Sequence, residues 1–343
     1  MSNKSKISDR IRILTNLKTT LLQSNGAVGK LAIIISILIG FYSGITQADT
    51  WQPSQGHQQI PIWPEGKMPN PISDTSPEYI KPITDRPIAG QPWHGVYNVS
   101  QPTMTVYSPK EKNTGITIVV FPGGGFNGLA IDLEGTEICT RLTSEGIICI
   151  LLKYRVPDSG PAWHDDCQCN IHPVAPTALQ DAQRTIGLLR QNAEKWHINP
   201  NKIGVLGFSA GGYMVADIST HFKERAYKPV DVTDTRSCRP DFAVALYPGH
   251  LWTNEKKFEL NPDLPVTSLT PPTLLIQAGD DPVDNINHSL VYYNALKNAN
   301  VPVEMHLYAQ GGHGFAARST NLPITNWPLL LEIWLKTIGI ASK

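Results

Sequence analysis

Short, nearly uninterrupted apolar runs recur along this chain with amphipathic stretches between them: "GITIVVFP", "IICILLKY", "KIGVLGF", "FAVALYP" and "TLLIQAG", followed by a last strand, "VEMHLYA", that Glu304 and His306 interrupt. A strand that is apolar on every residue is buried on both faces, and parallel sheets covered by helical crossovers provide that burial. The intervening segments carry helical spacing. After a helical stretch around "EGTEICTRLTSEG", residues Val174, Ala178, Ala182, Ile186, Leu189, Ala193 and Trp196 mark a long amphipathic helix that stops near "NPN". Further helices are expected from about Ala210, over "NHSLVYYNALKNA" and over "WPLLLEIWLKTI". Together with the strand "TMTVYSP", the alternation predicts an α/β domain over 93–343, its mostly parallel sheet covered by helices on both faces. Residues 49–92 differ. Their proline-rich stretch "QIPIWPEGKMPNPISDTSPEYIKPITDRP" denies regular helix or central strand and predicts an extended segment laid over the core.

The first 48 residues are different again. Lys4, Lys6, Arg10, Arg12, Lys18 and Lys30 face one acid, Asp9, and precede "LAIIISILIGFYSGI" and "TQA". A basic region, an apolar region and small residues ending at Ala48 read as an export signal. The alternative is an uncleaved anchor helix, although a span needs about 20 apolar residues. Without residues 1–48, 23 bases face 28 acids, a net charge of −5. No long basic run lies outside the N-terminus, so nucleic acid is not an expected partner. Nor is a membrane, beyond the signal or anchor. Five cysteines, Cys139, Cys149, Cys167, Cys169 and Cys238, are too few and too odd in number for a disulfide scaffold. Cys149 falls mid-strand and is expected to be plain core, while Cys167 or Cys169 is a candidate partner for Cys238.

The chemistry centres on "GFSAG", residues 207–211. With Gly and Ser each near 7%, G-x-S-x-G arises by chance about 0.1 times in a chain of this length, so the pentapeptide alone is only moderately specific. Its context is more specific, because it directly follows a buried strand and directly precedes a helix. A serine on that turn is pushed out at the carboxyl edge of the sheet, beside the N–H groups of the helix start. The competing reading is a purely structural turn.

A serine hydroxyl is a weak nucleophile and needs a base, itself oriented by a third group. His313, in the glycine-rich "AQGGHGF" just past the last predicted strand, stands where a Ser, Asp, His order demands that base. The acid is expected in "QAGDDPVDN", which offers Asp280, Asp281 and Asp284. Asp281, third after the last apolar strand residue, is preferred. Asp280 and Asp284 remain alternatives, and Asp284 is also placed to cap the following helix.

Three glycines follow another buried strand in "VVFPGGGFNG". No lysine completes a phosphate-binding loop there. As an oxyanion loop it fits: the N–H groups of Gly124 and Gly125, with that of Ala210, would meet the developing negative charge. Asp132 and Glu134 read as braces for this loop rather than acid–base groups. The segment "PDSGPAWHDDCQCNIHPVAP" gathers His164, Asp165, Asp166, Cys167, Cys169 and His172, but C-x-C is not tetrahedral zinc spacing. It is read as a rim or lid, with Trp163 a candidate for apolar or sugar-stacking contact. No metal is expected.

Taken in order, "FPGGGF", "LEGTEI", "LLKYRVP", "LQDAQRTIGLLR", "INPNKIGVLGFSAGG", "SCRPDFAVALYP", "DDPVDNINHSLVYYNAL" and "GGHGF" resemble the secreted α/β-hydrolase esterases of the acetyl esterase and acetylxylan or feruloyl esterase group. The resemblance covers nearly everything from Ile60 to Trp334. It implies an eight-stranded α/β-hydrolase sheet, a Ser209, Asp281, His313 triad and no cofactor. Two departures stand out: Pro122 where many esterases carry His before the glycines, and "DDPVDN" where relatives often read "DDPVVP". The expected function is a serine carboxylic-ester hydrolase acting on small-molecule or carbohydrate esters, with acetyl on polysaccharide as the leading substrate. A serine peptidase of the prolyl oligopeptidase type shares the triad order, but such enzymes usually carry a large propeller domain before the core. A non-catalytic hydrolase fold used for binding would be expected to have lost a nucleophile, base or oxyanion glycine, and none is lost.

Overall fold

The computed structural model describes residues 50–73, 76–158, 162–164, 169–171, 175–252 and 257–342, with backbone only at 162–164 and 169–171. The export signal expected over 1–48 lies outside them. So do Asp165, Asp166, Cys167 and His172 of the rim segment and the side chains of Trp163, His164 and Cys169.

In chain order the strands are β1 (Gln59–Pro61), β2 (Tyr79–Ile88), β3 (Gln91–Tyr97), β4 (Thr103–Tyr107), β5 (Thr117–Phe121), β6 (Gly128–Ala130), β7 (Ile148–Lys153), β8 (Ala162–His164), β9 (Cys169–Ile171), β10 (Ile203–Phe208), β11 (Ala243–Leu246), β12 (Thr273–Ala278) and β13 (Val303–Tyr308). The α-helices are α1 (Glu137–Ser144), α2 (Pro176–Gln191), α3 (Ala210–Thr220), α4 (Asn287–Asn298) and α5 (Trp327–Thr337). Eight strands form one sheet in the order β1-β4-β7-β5-β10-β11-β12-β13. The first two pairings are antiparallel and the rest parallel. Every residue of β5, β7, β10, β11 and β12 is buried, as their continuous apolar runs require. The edge strand β13 is only half-buried.

The order of connections positions the site. From β5 the chain steps to β7 on one side, then crosses β5 to reach β10 and steps on through β11, β12 and β13. Right-handed crossovers therefore put α1 on one face and α2, α3 and α4 on the other. Helix α5 joins α1, where Ile138, Leu142, Trp327 and Leu331 line a shared apolar recess. The direction reverses between β5 and β10, and ligands bind α/β sheets at the carboxyl edge of such a switch point.

The proline-rich segment is more regular than its composition suggests. Residues 59–61 extend the sheet as β1, antiparallel to β4. β2 and β3 pair as a hairpin that turns at Ala89 and Gly90, and β6 completes a three-stranded sheet in the order β2-β3-β6. Pro82 and Pro87 are tolerated because β2 is an edge strand, whose outer N–H positions have no ladder to complete. Arginines tie these parts to the core. Arg155, fully buried, holds Asp181 on α2 at 2.8 Å and also donates to the carbonyls of Pro69 (2.6 Å) and Asn70 (3.0 Å). Trp63 Nε1 donates to the same Asp181 at 2.7 Å. Arg318 donates to the carbonyls of Ile88, Gln91 and Pro92 around the hairpin turn and pairs with Glu137 on α1 at 2.7 Å.

One cysteine expectation needs correction. Cys149 is not plain core but forms a disulfide with Cys139. Helix α1 lies against β7 between β5 and β7, which brings the two residues face to face. Cys238 is a buried free thiol that donates to the Phe222 carbonyl at 3.4 Å, and the side chains of its candidate partners Cys167 and Cys169 lie outside the described residues.

Candidate active site

Strand register brings the motif residues to one edge. Gly207 of β10 lies opposite Phe121 of β5, so Ser209 and Gly123 both emerge two residues further on. Leu246 of β11 pairs with Ile276 of β12, and Ala278 with Tyr308, which carries the loops bearing Asp281 and His313 to the same edge. Ser209 adopts φ 52, ψ −118, a left-handed conformation that costs a non-glycine residue about 1–3 kcal/mol. The turn is held by the Ser209 N–H on the Leu246 carbonyl (3.1 Å) and by the Tyr213 and Gly249 N–H groups on the Ser209 carbonyl (3.1 and 3.2 Å). Gly211 has to be glycine because a β-carbon there would overlap the Phe121 carbonyl oxygen. The strain is therefore maintained by hydrogen bonds and close packing on both sides of the serine.

His313 sits behind this turn with Nδ1 2.9 Å from Asp281 Oδ2 and 3.1 Å from Oδ1, which leaves Nε2 as the nitrogen available to the serine. Asp281 is closed off from solvent and also accepts the N–H groups of Val283 (2.8 Å) and Asp284 (3.0 Å). Asp280 does something else: it accepts the N–H groups of Gly311 and Gly312 at 2.9 and 2.8 Å and anchors the loop that presents His313. Asp284 does not cap α4, whose N-cap is Ile286. Its Oδ2 accepts the Ser209 hydroxyl at 3.2 Å and lies 3.9 Å from His313 Nδ1. Thus the structure brings Ser209, His313, Asp281 and Asp284 together and gives Asp280 a supporting place.

Burial works against a charged His313, but the Asp281 hydrogen bond and the charges of Asp284, Asp281 and Glu134 outweigh it and hold the imidazole above its usual pKa. The buried His250 and His288 behave oppositely: desolvation pushes both down to about 4, so they are neutral at physiological pH. His288 Nδ1 accepts the N–H groups of Leu251 and Trp252 at 3.0 and 2.8 Å. Burial also pushes the Asp284 carboxyl up to about 6, with the charge of His313 pulling the other way.

The glycine loop lies directly beside the serine, since a β-carbon on Gly123 would stand 3.0 Å from Ser209 Cβ. Gly124 has φ 140 and leaves no room for a side chain against the Gly128 carbonyl. Gly125 has φ 61 and is exposed with it. Ala210 opens α3, where the first-turn N–H groups have no intrahelical acceptors. Glu134, in a π-helical turn over Asp132–Thr136, accepts the Gly123 N–H at 2.6 Å and the Tyr247 hydroxyl at 2.8 Å. It braces the loop as expected of it. Asp132 holds His94 instead, through the backbone N–H (2.8 Å) and Nδ1 (2.7 Å). Tyr247 was not foreseen from sequence: its ring packs 4.9 Å from that of His313 while its hydroxyl secures Glu134. Its place right after the apolar run of β11 is the signal that marks it, as for the other edge residues. Phe126, Tyr213 and His250 form a second aromatic group next to the serine turn, with ring centroids about 6 Å apart.

A doubly covered, mostly parallel sheet with a strained strand-to-helix serine at its switch point defines an α/β hydrolase. The match to known proteins agrees and is more particular. The chain belongs to the prolyl oligopeptidase family, whose model matches residues 138–326. It is 32% identical over 227 residues to an acetylxylan esterase of Xylanibacter ruminicola, covering 60% of this chain and 42% of that protein. It is 25% identical over 214 residues to endo-1,4-beta-xylanase B of Butyrivibrio fibrisolvens, covering 57% of this chain and 32% of that protein. The chain thus spans less than half the length of these curated relatives. Among solved structures, an acetyl ester-xyloside bifunctional hydrolase from Caldicellulosiruptor lactoaceticus superposes with a TM-score of 0.63 at 30% identity, covering 83% of this chain and 97% of that one.

Proposed function

We propose that this chain is an exported serine ester hydrolase that removes acetyl groups from acetylated polysaccharide, xylan in particular. The observation that carries the reading is the strained Ser209 at the same sheet edge as a His313 imidazole whose Nδ1 is held 2.9 Å from the buried Asp281 carboxylate. Ser209 attacks the ester carbonyl and His313 accepts its proton through Nε2, while Asp281 fixes the tautomer and steadies the imidazolium. The N–H groups of Gly124, Gly125 and Ala210 receive the oxyanion. The proton then passes to the departing alcohol, and water clears the acyl group by the same route. The similarity to an acetylxylan esterase and to an acetyl ester-xyloside hydrolase supports acetylated xylan as substrate. Export is supported by the signal pattern over 1–48 and by the Cys139–Cys149 disulfide, a bond favoured in oxidising compartments. No helix of the described residues is long and apolar enough to cross a membrane.

The test is acetate release from acetylated xylan by purified residues 49–343, beside hydrolysis of p-nitrophenyl esters of increasing acyl length. Release of acetate with a preference for the two-carbon acyl group is expected. The family match favours one second reading, peptide hydrolysis after proline. Turnover of a prolyl peptide anilide without turnover of p-nitrophenyl acetate would replace the ester reading with it. Asp281→Asn is expected to lower kcat on the order of 10⁴-fold, because the wrong imidazole tautomer is then favoured. If Asp281→Asn stays within tenfold of wild type, the orienting role belongs elsewhere.

A further inference from the structure

The hydroxyl of Ser209 has a hydrogen-bond acceptor that the mechanism above does not use. It donates to Asp284 Oδ2 at 3.2 Å rather than closing on His313. Several contacts fix that carboxyl in place. The Asp284 N–H is held by Asp281 Oδ1 at 3.0 Å and its carbonyl accepts Gln277 Nε2 at 2.8 Å. Gly249 leaves the space it fills, since a β-carbon there would come within 2.7 Å of Asp284 Oδ1. The side chain is 11% exposed, so little water competes for it. The charged groups facing it are Asp281 on its own loop, His313 on the loop after β13, and Glu134 on the π-helical turn.

A carboxylate bonded to the nucleophile's own proton, in a nearly closed site, is placed as a base. We propose that Asp284 is a second catalytic proton acceptor for Ser209, so that the nucleophile is served by two bases, His313 and Asp284. The proposal rests on the serine hydrolase reading. In the step it adds, the Oγ–H bond breaks and the proton moves to Asp284 Oδ2 as Oγ bonds the carbonyl carbon and the carbonyl electron pair moves onto oxygen. When the tetrahedral intermediate collapses, the C–O bond to the alcohol breaks and the alkoxide takes the proton back from the Asp284 carboxyl. Water then attacks the acyl-enzyme, gives its proton to the same carboxylate, and Oγ leaves and recovers it. Burial has already moved this carboxyl up to about 6, much nearer neutrality than an exposed aspartate and so a stronger base.

The experiment compares wild type, His313→Ala, Asp284→Asn and the double variant on p-nitrophenyl acetate from pH 4 to 9, with fluorophosphonate labelling of each. The nitrophenolate leaves without a proton and kcat/KM covers only the steps through acylation, so kcat/KM reads serine deprotonation. His313→Ala is expected to keep a residual rate that rises through a pH above 6, because the imidazolium that lowers the Asp284 pKa is gone. The double variant should fall at least tenfold below His313→Ala. Asp284→Asn alone should lower the maximal rate and shift the acid limb to lower pH, since His313 then loses one of the charges that raise its pKa. If the double variant matches His313→Ala, or if Asp284→Asn is faster than wild type across the range, the proposal is overturned. If Asp284→Asn does not fold, by circular dichroism, Asp284→Val takes its place in every comparison. A wild type that neither labels nor turns over the ester would instead overturn the serine hydrolase reading itself.

Discussion

Ser209→Ala is expected to lower kcat on p-nitrophenyl acetate by about 10⁶-fold and to abolish fluorophosphonate labelling. The size follows from the geometry. The other groups at the site act through the serine, so its removal leaves only binding and the N–H groups of the glycine loop, together worth roughly 10³–10⁴-fold over water. Folding should survive, because alanine meets the same positive φ that serine does and the turn is held by backbone bonds from Tyr213 and Gly249 and on to Leu246. A circular dichroism spectrum and Tm close to wild type, beside the lost turnover, would separate chemistry from misfolding. Turnover within tenfold of wild type would sink the assignment of Ser209 as nucleophile.

Asp181→Ala is expected to destabilise the fold strongly. It leaves the Arg155 guanidinium buried with no anionic partner, and breaking such a pair from one side costs about 3–5 kcal/mol. It also strips the acceptor from Trp63 Nε1, one of the links to the segment before β2. Thermal unfolding should show a Tm lower by roughly 10 °C. Replacing both partners, as in Arg155→Met with Asp181→Leu, should cost less than Asp181→Ala alone, because no charge is then stranded. A Tm unchanged by Asp181→Ala would mean that Arg155 is satisfied by its carbonyl acceptors.

The sheet was legible because its central strands are buried on both faces, and that burial imposes the unbroken apolar runs seen at "TIVVF" or "TLLIQA". The edge positions of Ser209 and Asp281 were legible for the same reason, since each follows such a run within a few residues, while His313 was legible from the glycine-rich loop after the half-buried edge strand β13. What escaped was set by how loops fold rather than by where strands end. Spacing put Asp284 at a helix start, but the loop turns its carboxyl onto the serine instead. The hairpin of β2 and β3 was hidden by prolines that an edge strand accepts. The disulfide was not legible because the apolar run of β7 accounts for Cys149 without a partner, whereas Cys139 lies on the helix that packs over it.

The tie between Arg318 and the hairpin turn at Ile88, Gln91 and Pro92 has a meaning for how the protein is made. The serine turn is complete once β11 has followed α3, since Leu246 accepts its N–H, yet its base is encoded a hundred residues later. Arg318, five positions beyond His313, grips a hairpin encoded more than two hundred residues upstream. During synthesis, which proceeds from the N-terminus, the emerging polypeptide holds a serine without its imidazole and a hairpin not yet gripped at its turn until both residues have left the ribosome. On the ester-hydrolase reading, a nascent or prematurely ended chain therefore lacks the His313 base, and full activity arrives only as the C-terminal segment docks.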